Sequence, residues 1–271
     1  MTGAFLHPFA RPARDSFIEL VRGEGSVLWD RDGNEYIDAM ASLWYCNVGH
    51  GRGEIADAVA SQMRQLETYS CFDPFTNPMA EAITQRVADL SPIDHARVFL
   101  CGSGSESIDT AMKLARLTHV QSGHPERTLI ISRVRGYHGT NYGGTTAQGL
   151  PPNKEGWGPL VPEVVQVPSD DIEALASLMS ERSHEVAAVL SEPVQGAGGV
   201  WPAEEGYLQS LRKLCDQHGA LLIFDDMRQD DHIHLEVRIE INVVGHGPLE
   251  NICKDIELAT GSLLHCRLQM R

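Results

Sequence analysis

The apolar positions of this chain follow two periods, one typical of short buried strands and one typical of amphipathic helices. From residue 81 onward the two kinds of segment alternate. Predicted strands cover 96–101, 128–133, 162–168, 186–194 and 220–226, and predicted helices cover 81–91, 105–120, 170–182 and 205–219. Short apolar strands separated by amphipathic helices predict an α/β fold, in which a mostly parallel sheet has helices on both faces.

The region before residue 81 has a different pattern. Alternating apolar residues flank Asp32 and Gly33, which predicts a β-hairpin with its turn at this pair. A predicted helix over 52–69 follows, and its apolar face carries Ile55, Val59, Met63 and Leu66.

The region after residue 226 departs from both patterns, because apolar and polar residues alternate strictly there. This predicts one long strand with a single apolar face. The apolar positions are Ile233, Leu235, Val237, Ile239, Ile241 and Val243. The chain is therefore divided into three parts, 1–80, 81–226 and an atypical tail, 227–271.

Composition narrows the classes of partner. The 271 residues carry a net charge of −15, which disfavours nucleic acid and anionic membranes. The chain has no apolar run long enough to span a bilayer and no apolar core of a signal peptide near its start, so a cytoplasmic location is expected. The six cysteines are scattered without a C-x-x-C pair, which favours reduced thiols. No metal site is predicted, because the tail's histidines and cysteines match no zinc-ligand spacing: His232, His234, His246, His265, Cys253 and Cys266.

A Gly-Ser-Gly-Ser loop joins the predicted strand 96–101 to the helix that follows it. Ser103 and Glu106 have the spacing of a capping box. The first backbone N–H groups of a helix and nearby serine hydroxyls can bind an anion, and a phosphate fits best. A glycine turn with a serine cap and no ligand is the other interpretation.

Three further segments place polar or aromatic side chains directly after predicted strands. Tyr137 and His138 follow a strand in a glycine-rich loop, where the ring of Tyr137 can stack on a planar ligand. Glu192 stands at a strand end before a proline and a glycine run. Asp225 ends an apolar run, where a carboxylate is costly unless a cation or a hydrogen-bond donor pairs with it. Surface residues without a ligand, and an acid that only caps the next segment, are the alternatives.

Ligands bind at the carboxyl ends of the strands in folds of this class, and all four segments belong there. A phosphate site, a stacking ring and an acid suited to a protonated ring nitrogen together describe pyridoxal 5'-phosphate. The amino-acid sequences of these segments, and their order, also resemble those of a known family, the class III pyridoxal-phosphate-dependent aminotransferases. The resemblance extends from about residue 25 to residue 226, through "SLWYCNVGHG", "GSGSESIDTAMKLAR", "GYHG", "EPVQGAGGV" and "LLIFDD".

The resemblance implies a fold type I transferase and a role for each matching residue. Gly104 and Ser105 would hold the cofactor phosphate, and Tyr137 would stack on the ring with His138 beside it. Glu192 would support the ring region. Asp225 would pair with the pyridine nitrogen. Trp44 and Tyr45 match substrate-side aromatics near the dimer interface of the family.

The implied function is the transfer of an amino group from an ω-amino donor to a keto acid. The resemblance also implies a homodimer, in which residues 1–80 of each chain contribute to the small domain and the interface. The resemblance ends at residue 226, so a C-terminal portion of the usual protein is expected to be absent. In the family a lysine forms a Schiff base with the cofactor. Of the four lysines, only Lys254 follows the acid, 29 residues after Asp225. The alternatives are coincidence of spacing, a truncated non-catalytic chain that binds cofactor or pairs with a complete subunit, and a shifted reading frame after residue 226.

Overall fold

A computed structural model describes residues 4–226, apart from 9, 12, 13, 15, 92 and 94, together with the strand Arg238–Ile239. The chain divides into two compact units, Met1–Tyr69 and Ser70–Arg271. Most of the predicted tail strand lies outside the described residues, and Lys254 also lies outside them.

The first unit contains a three-stranded antiparallel sheet of β1 (Leu20–Glu24), β2 (Val27–Asp30) and β3 (Glu35–Ile37). The predicted hairpin is confirmed, since β2 and β3 pair on either side of Asp32 and Gly33. The carboxylate of Asp30 fixes this turn by accepting hydrogen bonds from the backbone N–H groups of Asp32 and Asn34. A left-handed turn, α1 (Ala41–Trp44), and the predicted helix, α2 (Gly53–Gln65), complete the unit.

The second unit alternates helices and strands as the pattern predicts. Its helices are α3 (Pro78–Leu90), α4 (Gly104–Gln121), α5 (Tyr142–Ala147), α6 (Ile172–Glu181) and α7 (Tyr207–His218). Its main strands are β4 (Leu129–Arg133), β5 (Val164–Val167), β6 (Val186–Ser191), β9 (Leu221–Asp226) and β10 (Arg238–Ile239). A short 3₁₀ turn covers Pro151–Asn153, and β7 (Val194–Gln195) pairs with β8 (Trp201–Pro202) in a small ribbon.

The main sheet has the order β10-β9-β6-β4-β5. The strands from β9 to β5 are parallel, and β10 pairs with β9 in the antiparallel direction. Side chains alternate between the two faces of each strand, so Ile130 and Leu190 pack on the face that α4 covers, whereas Ile131 and Leu222 pack on the face that α6 and α7 cover. The predicted fold class, a mostly parallel sheet with helices on both faces, is confirmed.

The helix ends follow ordinary capping chemistry. The side chains of Asn77, Ser103 and Asp171 each accept a hydrogen bond from a first-turn backbone N–H, which satisfies one of the donors that a helix start leaves free. Helix α7 ends at Gly219, whose φ of 63° lies in the left-handed region that glycine adopts without steric cost.

The predicted strand at 96–101 is wrong, since these residues form neither a strand nor a helix. A strand needs a neighbouring backbone to accept and donate its hydrogen bonds, and no described strand pairs with this segment. Its apolar side chains Phe99 and Leu100 are exposed. Among the described residues, no helix combines the length and the apolarity that crossing a bilayer requires.

Candidate functional site

Several of the candidate site residues lie at the carboxyl ends of neighbouring strands in the second unit. The loop 134–141 follows β4, Glu192 follows β6, and Asp225 lies near the end of β9. Because β9, β6 and β4 are adjacent and parallel, all three positions meet at one edge of the sheet.

His138 and Asp225 form a buried pair across this edge. Asp225 Oδ2 lies 2.8 Å from His138 Nδ1, and the two side chains are 8% and 1% exposed. Nε2 of the same imidazole is buried and has no hydrogen-bond partner among the described residues. A carboxylate and an imidazole so far from water require polar partners, and at this edge of the sheet each group supplies one for the other.

Glu192 ties the Tyr137 loop to the end of β6. Its Oε1 accepts the backbone N–H of Tyr137 at 2.8 Å, and its Oε2 accepts the backbone N–H of Gly196 at 2.9 Å. Burial raises the pKa of the Glu192 carboxyl, while the charge of His138 and the two N–H donors oppose that rise. Burial, followed by the nearby charge of Asp225, also raises the pKa of Tyr137.

The first turn of α4 packs against the same loop. Ser105 Oγ accepts the backbone N–H of Thr140 at 2.9 Å. A Cβ at Gly139 would lie 2.5 Å from Ser105 Oγ and 2.8 Å from Ser105 Cα, and Gly139 has a φ of 92°, so only glycine fits here. The first-turn N–H groups of Gly104 and Ser105 have no acceptor within the helix, which leaves them available to an anion.

Arg133 supports the backbone around the candidate site, and the sequence pattern did not identify it. It ends β4 and is fully buried. Its Nη1 donates to the carbonyl of Ser169 at 3.0 Å, its Nη2 donates to the carbonyl of Glu192, and its guanidinium lies 5.0 Å from the centre of the Tyr207 ring. The available signal was a cation at the end of an apolar strand, where an unpaired charge is costly.

Six of the sequence-predicted site residues thus lie in the second unit, on loops, a helix start or a strand end at one edge of its sheet: Gly104, Ser105, Tyr137, His138, Glu192 and Asp225. The other two described candidates belong to the first unit, where Trp44 ends α1 and Tyr45 follows it. Lys254 lies outside the described residues. Among the described residues, no group of three or more His, Cys, Asp or Glu side chains has the arrangement of a metal site.

Comparison with known proteins identifies the family. A family model described as "Aminotransferase class-III" matches residues 9–228. The chain belongs to the class III aminotransferases. It is similar to the "Beta-alanine--pyruvate aminotransferase" of Pseudomonas aeruginosa, with 37% identity over 226 residues that cover 77% of this chain and 50% of that protein. It is also similar to the "Acetylornithine aminotransferase" of Methanopyrus kandleri, with 39% identity over 78% of this chain and 51% of that protein.

Solved structures of transaminases match the fold. A PLP-bound amine transaminase from an uncultivated Pseudomonas species has a TM-score of 0.79 and 32% identity, covering 83% of this chain and 56% of that chain. An (S)-enantioselective omega-transaminase from Thermomicrobium roseum has a TM-score of 0.78 and 34% identity, covering 81% and 54%. The chain spans about half the length of the curated relatives it matches.

Proposed function

We propose that this class III chain binds pyridoxal 5'-phosphate and contributes to the transfer of an amino group from an ω-amino donor to a keto acid. The observation that carries the proposal is the buried contact of 2.8 Å between His138 and Asp225, beside the loop that Glu192 holds. A carboxylate placed by a histidine at the end of a parallel strand suits a protonated ring nitrogen.

The arrangement fits the cofactor at three points. Asp225 would pair with the pyridine nitrogen, and Tyr137, held by Glu192, would stack on the ring. The N–H groups of Gly104 and Ser105 would hold the phosphate, since α4 begins beside the same loop. When bound, the cofactor supplies an electron sink for bonds to the carbon that carries the amino group.

The described residues act on this chemistry by binding and orientation. His138 orients the Asp225 carboxylate through Nδ1, and Glu192 fixes the backbone of Tyr137. Arg133 in turn fixes the carbonyl of Glu192. Together these contacts hold Tyr137 and the Asp225 carboxylate in place before the cofactor binds. One face and one edge of the cofactor ring would then meet fixed partners, so less conformational entropy of the protein would be lost on binding.

Further parts of the proposal come from the family resemblance. Lys254 would be the lysine that bonds to the cofactor and carries protons, and Trp44 and Tyr45 would contact the substrate. The active assembly would be a cytoplasmic homodimer. The division into 1–80, 81–226 and 227–271 is proposed on the same ground.

Cofactor titration of three variants tests the proposal. Asp225→Asn removes a charge-assisted hydrogen bond worth about 1.5–3 kcal/mol, so the dissociation constant for pyridoxal phosphate should rise about ten- to a hundredfold. Tyr137→Ala should weaken binding less. Asp216→Asn is the matched control, because Asp216 is half-exposed on α7 and pairs with Arg212. Binding to Asp225→Asn as tight as to the unchanged chain would reject this use of the site.

A second measurement separates binding from catalysis. Borohydride reduction in the presence of cofactor, followed by peptide mapping, tests whether Lys254 bonds to the cofactor. A stoichiometric label on Lys254, together with amino transfer that Lys254→Ala abolishes, would establish that role. Tight binding without that label would instead favour a chain that binds the cofactor without catalysing transfer.

A further inference from the structure

Three side chains of the first unit form a hydrogen-bonded chain that plays no part in the proposed cofactor site. Cys46 Sγ lies 3.3 Å from His50 Nδ1, and His50 Nε2 lies 2.7 Å from Asp38 Oδ2. The two neighbours therefore contact opposite nitrogens of one imidazole. A thiol, a base and an orienting acid in this order are the components of an activated cysteine nucleophile.

The acid end of this chain sets the direction of the hydrogen bonds. Asp38 also accepts the backbone N–H groups of Ser42 at 2.8 Å and Met40 at 3.2 Å. The hydrogen bond from His50, followed by that from Ser42, lowers the pKa of Asp38, so the group is a carboxylate at neutral pH. A carboxylate only accepts, hence His50 Nε2–H donates to it. In the neutral imidazole the lone pair of Nδ1 then faces the Cys46 thiol.

The position of His50 is fixed by the backbone around it. Its N–H donates to the carbonyl of Gly25 at 2.8 Å, and its carbonyl accepts the N–H of Gly25 at 3.0 Å. The ring lies against Gly23, where a Cβ would be only 2.7 Å from His50 Cγ. Gly49 and Gly51, at φ values of 86° and 71°, let the segment approach the hairpin this closely. A histidine held in this way loses little freedom when it acts as a base.

Two other interpretations of the cluster fit less well. A metal ion needs ligands that converge on one point, whereas Cys46 and Asp38 lie on opposite sides of the imidazole. A purely structural thiol is typically buried, whereas Cys46 is only half-buried.

We propose that Cys46 is a nucleophilic thiol, with His50 as its base and Asp38 as the residue that orients the base, and that it forms mixed disulfides with low-molecular-weight disulfides. In the reaction His50 Nδ1 takes the thiol proton as Cys46 Sγ attacks one sulfur of the reagent. The S–S bond of the reagent breaks, the new bond joins Cys46 to the attacked sulfur, and the departing thiolate takes the proton from His50. The segment "SLWYCNVGHG" contains both Cys46 and His50, but sequence spacing alone does not predict that the thiol and Asp38 contact opposite nitrogens of the same imidazole.

Two of the other described cysteines provide internal comparisons. Burial raises the pKa of Cys215 to about 12, which makes it inert in the folded chain. Cys71 is exposed, and its sulfur accepts a hydrogen bond from Asn77 Nδ2 at 3.3 Å rather than contacting a histidine. Cys71 is therefore the matched control for access without a base.

The test measures how fast each thiol of the reduced, folded full chain reacts with oxidised glutathione at pH 7, by quenching and peptide mapping. Cys46 should react at least about a hundredfold faster than Cys71, the smaller end of a general-base effect. His50→Gln should reduce the Cys46 rate to that of Cys71, and Asp38→Asn should reduce it partway. His124→Gln, which alters an exposed histidine of the second unit, should change neither rate.

Two further measurements keep the result decisive if His50→Gln misfolds. In urea the advantage of Cys46 over Cys71 should vanish, because it depends on the folded geometry. In the unaltered chain the same advantage should shrink as pH rises toward about 8.5, where an ordinary thiol ionises unaided. Equal rates for Cys46 and Cys71 in the folded chain at pH 7, or an advantage that survives urea, would overturn the proposal.

Discussion

Replacing Arg133 by methionine tests how strongly one buried cation stabilises the candidate site. Arg133 donates hydrogen bonds to the carbonyl groups of Ser169 and Glu192 and is 1% exposed. A hydrogen bond from a charged donor contributes about 1.5–3 kcal/mol. Methionine keeps much of the volume but neither bond, and it leaves two buried acceptors without this donor. The free energy of unfolding should therefore fall by about 3–5 kcal/mol.

Arg135→Met is the matched control, two residues along the same loop. Arg135 bonds to Ser169 Oγ and pairs with Asp170 at 3.1 Å, but its side chain is 36% exposed. The loss of an ion pair so accessible to water costs about 1 kcal/mol or less. In urea, with a slope of about 2 kcal/mol per M, Arg133→Met should move the midpoint by about 2 M and Arg135→Met by no more than about 0.5 M. Similar shifts for the two variants would refute the reasoning, since both guanidinium groups lie within 3.5 Å of Asp170, whereas only that of Arg133 is fully buried and bonded to two backbone carbonyl groups.

Two other predictions concern the same loop. Gly139→Ala should destabilise the chain by about 1–3 kcal/mol more than Gly156→Ala in urea titrations, because both glycines have positive φ but only a Cβ at Gly139 meets Ser105; equal losses would mean that the contact with Ser105 relaxes freely. Burial raises the pKa of Glu192 above its usual 4.5, so the folded chain binds the proton more tightly than the unfolded chain does. The stability of the unaltered chain should therefore fall, relative to that of Glu192→Gln, as pH rises above 4.5. A difference between the two that does not change with pH would contradict this assignment.

Much of the fold could be predicted from residue patterns because its elements are determined locally or by burial. Short stretches of chain determine the alternation of Ile130 and Ile131 between the two covered faces of the sheet, and also the helix cap at Ser103. The segment 96–101 has an apolar composition like that of the other strands, but pairing depends on a neighbour elsewhere in the chain. Local pattern cannot supply that neighbour.

The site divides in the same way. Asp225 could be proposed as a site residue because burying a carboxylate at the end of an apolar run costs free energy unless a polar partner is present. Arg133 presents a similar signal but its partners, Ser169 and Glu192, lie 36 and 59 residues away, so its role emerges only once β4, β5 and β6 are aligned. The cluster of Cys46, His50 and Asp38 depends on close backbone approach at glycines, which residue type alone does not specify.

The contact between His138 and Asp225 has a consequence for the order of events during protein synthesis. The two residues are 87 positions apart, and Asp225 belongs to the last parallel strand along the part of the chain that the structure describes. A nascent chain that has left the ribosome only as far as α7 can form α4, the loop after β4 and the Glu192 contact, but it has no carboxylate for His138. Contacts of such long sequence separation form late, since the intervening loop must close first. The emergence of β9 therefore decides when a translating ribosome has produced a chain in which His138 can meet its buried acid.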